Sequence, residues 1–407
     1  MTKMQSSATS KFKSGVILWV VFLAPSLSLA NQDRAGQYSI ELSTETRWFF
    51  EEGQHGNTDQ FETSLRVQPD YSYSWDNSRK VIQFIPYLFL SDSDSDKNHG
   101  DIKELSFVGN WGWFELRAGV SKVFWGVIES VHLVDVINQS DFAENFDGED
   151  KLGQPMIELG FATQLGHFSL FALPYFRQRT FPGLDGRLGA PIVVDADNAV
   201  YEASNGKRHT DIALRWESSI SFFDLGISHF MGTSRDPILK QLTNDFLTPY
   251  YYQIHQTGLD VQATVGALLI KHESVYRDYR DSLLKGFYSQ ASGIEYTKYG
   301  VFNSDRDIGL IAEYLSASDS GNGLNVFDND LFTGVRLSLN DIQGTDFLAG
   351  IIFDLDSSQR FLSIESSRRL SSGVSGSLEY RQFIDVSDSL AAFENESYIQ
   401  LELRYRF

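Results

Sequence analysis

Residues 397–407 read S-Y-I-Q-L-E-L-R-Y-R-F. Successive side chains of an extended chain point to opposite faces, so Ile399, Leu401, Leu403, Tyr405 and Phe407 share one side, while Gln400, Glu402, Arg404 and Arg406 share the other. One face wants an apolar surrounding and the other wants water. A soluble sandwich and a membrane barrel both use strands of this kind, and the rest of the chain has to decide between them.

The same alternation recurs along the sequence. Strand candidates begin near Tyr38 and Phe61 and follow at 81–90, 101–109, 113–123, 156–165, 167–176, 209–218, 222–231, 252–264, 267–279, 287–299, 306–316, 331–339, 346–355, 359–367 and 373–383. With the closing stretch the count is about eighteen, or about sixteen if one hairpin is misread. Each candidate is close to the roughly 9–11 residues that a tilted strand needs to cross the hydrocarbon layer. Long and short connections alternate, with long outer loops at 124–155 and 177–208, as when short turns face one side of a membrane and longer loops the other. The pattern predicts an all-β fold, a transmembrane antiparallel β-barrel, because closure leaves no unpaired strand edge in lipid.

The N-terminus fits that destination. Lys3, Lys11 and Lys13 precede an apolar run from Gly15 to Ala24, then Pro25 and the small-residue site Ser28-Leu29-Ala30. This is the pattern of a secretory signal peptide over residues 1–30, with cleavage expected after Ala30 and residues 31–407 forming the barrel. The net charge of −20 argues against a nucleic-acid partner, and removing three lysines makes the mature chain more acidic still. With no cysteine, disulfides and thiolate metal sites are excluded. No phosphate-cradling glycine loop or metal-ligand spacing is present, so no cofactor is expected. Asp92, Asp94 and Asp96 superficially suggest a calcium loop, but Lys97 and Lys103 stand where that loop needs glycine and glutamate.

Taking the polar face of each strand as the inner one gives a lumen of mixed charge. Glu45 with Arg47, Glu115 with Arg117, Arg215 with Glu217, and Glu379 with Arg381 are neighbours two residues apart on one wall. Arg66, Arg336, Glu402 and Arg404 join them. Such charges either neutralise one another and stiffen a wet wall or set up a field across the lumen, and the two readings coexist.

A strand that ends the chain on an aromatic residue resembles the closing strand of bacterial outer-membrane barrels. Within 124–155, Trp125-Gly126 followed by Asp135-Val136-Ile137-Asn138 and Asp141 is similar to a segment of porin-like outer-membrane β-barrel proteins of Gram-negative bacteria. In that pattern a proline commonly follows the asparagine; here Gln139 stands there. The resemblance implies an outer-membrane channel. Val127, Ile128, Val131, Leu133, Val134, Val136 and Ile137 make this stretch too apolar for a solvated loop. It is expected either to fold into the barrel mouth as a constriction, presenting Trp125, Glu129, His132, Asp135, Asn138 and Asp141, or to pack on the rim against 177–208.

The reading that follows is a porin-like channel passing small polar solutes, with an acidic entrance that favours cations. Its partners would be outer-membrane lipid, lipopolysaccharide and the barrel-assembly machinery acting on the C-terminal strand. An outer-membrane barrel enzyme of the lipid-hydrolase type and a closed docking barrel are the alternatives. The least implausible catalytic cluster for the first is Ser130, His132 and Asp135.

Overall fold

The computed structural model describes residues 34–53, 59–189, 192–241, 246–281, 283–318 and 327–407, so the expected signal peptide and its cleavage point lie outside the described residues. In chain order the strands are β1 (Arg34–Phe49), β2 (Phe61–Trp75), β3 (Lys80–Ser91), β4 (His99–Asn110), β5 (Phe114–Ser121), β6 (Gln154–Thr163), β7 (Gly166–Leu173), β8 (Val193–Val194), β9 (Val200–Tyr201), β10 (Asp211–Ile220) and β11 (Phe223–Thr233). They continue with β12 (Ile238–Gln241), β13 (Phe246–Tyr251), β14 (Gln253–Val265), β15 (Leu268–Tyr279), β16 (Phe287–Lys298), β17 (Asp307–Ala317), β18 (Asn329–Ser338), β19 (Asp346–Asp354), β20 (Arg360–Ser371), β21 (Val374–Ile384) and β22 (Tyr398–Arg406).

Eighteen of these form one antiparallel sheet that closes on itself. Each expected strand has its counterpart there. The first begins at Arg34 rather than near Tyr38, and β20 runs on to Ser371. Closure is made by β22 on β1, from Glu41 opposite Arg406 to Phe49 opposite Tyr398. Ile40 and Phe407 exchange both backbone hydrogen bonds, at 2.9 and 3.1 Å. A one-residue slip would turn Leu401 and Leu403 inward and Glu402 outward, so the amphipathic pattern itself fixes this register.

The remaining strands, β8, β9, β12 and β13, make a small separate sheet within the long connections, with β13 pairing all three others. They are too short to show an alternation in the sequence. At the opposite end the turns are tight, as at 76–78, where Asp76, Asn77 and Ser78 take φ of 57°, 53° and 60°, a left-handed geometry these short polar residues tolerate.

The outer surface is apolar, with exposed aromatics gathered at both ends: Trp111, Trp113, Phe222, Phe223, Tyr296 and Phe407 beside the short turns, and Trp48, Phe61, Tyr276, Tyr288 and Tyr314 towards the long loops. Such girdles mark the two membrane interfaces of a transmembrane barrel.

Candidate functional site: the barrel interior

The connection from β5 to β6 does not stay at the rim. It enters the barrel and is held there by two carboxylates of the wall. Glu273, on the inner face of β15, accepts hydrogen bonds from the backbone N–H groups of Val127 (2.6 Å) and Ile128 (2.9 Å) through Oε1, and from Leu133 (2.8 Å) and Val134 (3.3 Å) through Oε2. Glu313, on β17, accepts from the N–H groups of Glu129 and Ser130, both at 2.9 Å, and from the Ser130 hydroxyl at 2.6 Å. Both acids are fully enclosed, so these are charge-assisted bonds in a water-poor setting, where they are strong and their loss is costly.

The tryptophan-glycine pair has a physical reason here. Trp125 is buried against Phe171 of β7, ring centroids 5.6 Å apart, and under the Arg215 guanidinium at 4.9 Å. Gly126 has φ of 141°, and a Cβ on it would meet Glu273 Oε1 at 2.9 Å. The glycine lets the chain turn against the carboxylate that holds it. Past this point the segment lays Val134, Val136 and Ile137 on Phe171, Phe230, Ile254 and Val275, and Ile128 on Ala291, Ile311, Leu315 and Phe332. On this side the segment covers the inner wall, and the charges that strand parity places there are buried in pairs beside it, Arg215 with Asp260 at 2.8 Å and Lys271 with Glu295 at 3.1 Å.

The opposite side stays open. A cavity of about 410 Å³ lies between the segment and β1, β2 and β18–β22. Of the residues expected in the lumen, Glu45, Arg47, Arg66, Arg336, Glu379, Glu402 and Arg404 line it, as does Glu129 from the segment. Glu365, on the polar parity of its strand, lines it as well, and so do Asp346 of the wall and Glu144 and Asp150 of the segment, which the sequence did not single out. Nothing in a loop sequence says that 144 and 150 come inside.

The ion pairs are denser than spacing alone foretold. Arg47 pairs with Glu45 at 3.0 Å, Arg381 with Glu379 at 3.0 Å and Glu365 at 2.7 Å, and Arg404 with Glu402 at 2.5 Å. Arg66 bridges Glu144 of the segment and Glu402 of the closing strand, and Arg336 reaches Glu129 at 2.7 Å. Arg215 binds Asp260 as well as Glu217, both at 2.8 Å, and is buried away from the cavity. Arg117 pairs across the strand with Glu158 at 3.4 Å, and Glu115 instead accepts from Asn110 at 3.3 Å. Cross-strand distance, which sequence does not give, decides between these partners.

Other residues expected to face the channel hold the segment together. Asn138 is buried, accepting from Val123 N–H at 2.8 Å and donating to the carbonyls of Ser121 (2.9 Å) and Leu152 (2.8 Å). Asp141 is buried, accepting from Thr180 Oγ1 at 2.6 Å and lying 3.3 Å from His99 Nε2. Asp135 meets Lys151 at 3.3 Å, with its side chain closed off from solvent. None of these three presents its carboxylate or amide to the cavity. His132 pairs with Glu149 at 3.0 Å while Ser130 is bound to Glu313, so the serine and the histidine of the catalytic reading have separate partners.

Above the cavity the loops are knitted together. Arg187, fully buried on the Phe49 ring, forks onto Glu396 at 3.0 Å and donates to the carbonyls of Asp59, Glu51 and Asn395. The acidic run at 92–96 spends its charge on backbone donors: Asp92 accepts from Thr63 N–H at 2.8 Å, and the buried Asp94 from Gly183 N–H at 2.7 Å. Within the segment, burial raises the Asp147 carboxyl to about 6, and burial reinforced by the neighbouring Glu144 charge raises Asp150 well above the usual carboxylate range.

No protein-family model and no curated relative matches the sequence. Solved structures do. The chain is similar to a BenF-like porin from Pseudomonas fluorescens Pf-5, with TM-score 0.55 and 9% identity over 92% of this chain and 98% of that one. It is also similar to OccK3 (OpdO) of Pseudomonas aeruginosa, with TM-score 0.52 and 10% identity over 91% and 95%. At such identities the likeness is one of fold.

Proposed function

We propose that this protein is an outer-membrane channel of the porin type that passes small polar solutes and prefers cations. The observation that carries the reading is the off-centre cavity, left on one side of the barrel by a segment pinned to the other. A barrel filled to seal it would have no use for a charged face left open opposite one that the segment covers. Solutes would pass between Glu129 and Arg336 on one side and Glu45, Arg47 and Glu402 on the other.

The preference for cations follows from the lining. Eight carboxylates stand against four arginines, and every one of those arginines already has a carboxylate partner. Even with Asp150 protonated the surplus is negative, which concentrates cations at a narrow, low-dielectric passage. The expected partners are outer-membrane lipid, lipopolysaccharide around the long-loop rim, and the barrel-assembly machinery reading β22.

The test is the mature chain in planar bilayers under a salt gradient, with liposome swelling over a panel of sugars, amino acids and organic acids. Discrete conductance steps and a reversal potential of cation sign are expected. A folded barrel without conductance would favour a closed docking role, and a reversal potential of anion sign would overturn the selectivity.

A further inference from the structure

The outer wall is not uniformly apolar. At mid-height on β11 and β14–β16 the outward positions are His229, Thr257, His272, Ser274, Gln290 and Ser292, placed side by side: His229 is opposite Thr257, His272 opposite Ser292, and Ser274 opposite Gln290. That they face outward is fixed by their neighbours, since Ile227, Ile270, Tyr276, Tyr288 and Ile294 on the same parity are exposed, while Glu273 and Lys271 on the other are enclosed. At corresponding heights the far wall presents Leu378, Leu401 and Leu403, with only the hydroxyls of Thr44 and Thr46 beside them and no imidazole or carboxamide.

Acyl chains offer such groups nothing. A polar side chain in hydrocarbon loses its water without gaining a partner, and such residues in membrane proteins ordinarily face protein. Part of the demand is met within the patch, where His229 Nδ1 meets Thr257 Oγ1 at 2.9 Å, His272 Nδ1 meets Ser292 Oγ at 2.8 Å, and Tyr288 donates to Gln290 at 3.1 Å. These bonds occupy Nδ1 of each ring and the amide oxygen, and leave the Nε2 atoms and the Gln290 amide donor without a partner among the described residues. A lipopolysaccharide headgroup lies at the rim, too high to reach them.

We infer that this face is the contact between two copies of the chain, joined through the patch on β11 and β14–β16. Hydroxyls, imidazoles and a carboxamide each donate and accept, so the patch is complementary to itself, and with no lysine, arginine or carboxylate among its six residues it does not repel its copy. The same strands are backed from within by the pinned segment, so the contact is made by the stiffest part of the wall. The inference rests on the barrel spanning a bilayer and not on its conducting solute.

The absence of cysteine makes the test clean. Thr257→Cys and Ser292→Cys, each introduced alone into the full chain and oxidised in outer-membrane fragments, should give a cross-linked product of twice the chain mass. Ile351→Cys, outward on β19, should not. As a second measurement, Gln290→Leu combined with His272→Leu should shift the native mass in mild detergent from dimer to monomer, with the conductance of the single barrel retained. Cross-linking no stronger than that of Ile351→Cys, a monomeric wild type, or a product of any other mass would overturn the proposal. Loss of conductance with cross-linking intact would instead count against the channel reading alone.

Discussion

The two sides of the barrel interior are built on opposite principles. From β7 to β17 the wall mixes apolar side chains with buried charges, several of them paired, and the segment from β5 to β6 covers it; from β18 round to β2 it is charged and left open. On the covered side a carboxylate is a structural clamp, with each oxygen of Glu273 bonded to two backbone N–H groups. On the open side carboxylates pair with arginines and face the cavity. The same residue type does two jobs, and what separates them is whether the segment's backbone or open space lies against that face.

The largest effect should come from abolishing the distinction. Replacing residues 127–140 with a short Gly-Ser link leaves both walls facing water, and single-channel conductance is expected to rise several-fold in a barrel that still folds. An unchanged conductance would mean that the segment does not limit passage.

Next in size, Glu273→Gln puts amide donors against backbone donors and should cost about 3 kcal/mol of the segment's attachment. Hydrogen exchange would report it as lost protection of the amides at 127–134, together with a noisier open-channel current. Glu379→Gln, on the open side, should leave those amides protected and shift only the reversal potential; equal exchange in the two variants would dissolve the comparison.

Gly126→Ala is expected to cost roughly 1–3 kcal/mol, because an L-residue is strained at φ of 141° and its Cβ presses on Glu273. The control is Gly266→Ala, at a turn with φ of 64° and nothing within 4 Å. Its cost should be smaller, on the order of 1 kcal/mol, and thermal unfolding in detergent would separate the two. Glu129→Gln removes the carboxylate partner of Arg336 at the cavity edge and should weaken cation preference modestly without altering stability.

The smallest effect concerns pH. Asp150, raised to about 8 by burial and by Glu144, takes up its proton as pH falls towards neutral, and Asp147, raised to about 6, takes up its own below neutral, both before ordinary carboxylates do. Negative charge is then lost beside the cavity. Cation preference should decline between about pH 9 and 5, with the part above about pH 7 absent in Asp150→Asn and the part below it weakened in Asp147→Asn, as reversal potentials measured across that range would show.

Much of this molecule was legible from residue order. Eighteen strands, their inward and outward faces and the pairing of Phe407 with β1 follow from a period of two, because a bilayer outside and water inside impose that period on every strand. The apolar character of 127–137 also announced that the stretch needed cover. What remained hidden was which polar residues of the segment reach open space. Glu129 does, while Asn138 and Asp141 turn inward to satisfy backbone groups and a threonine, since their surroundings are set by chain segments far away in sequence. Glu313 carried a usable sign, an acid between Ile311 and Leu315 on one face, which asks for donors from elsewhere.

Sequence alone determined the barrel and the parity of its walls, since alternation is a local property that each strand carries independently of the others. The tertiary structure decided where the space is. Only after the segment has chosen the side on which its valines and isoleucines are covered and its N–H groups meet Glu273 and Glu313 does the opposite wall, with Arg47, Arg66, Arg336 and Arg404, become the lining of the cavity. That choice depends on contacts between residues more than a hundred positions apart, and no local pattern encodes it.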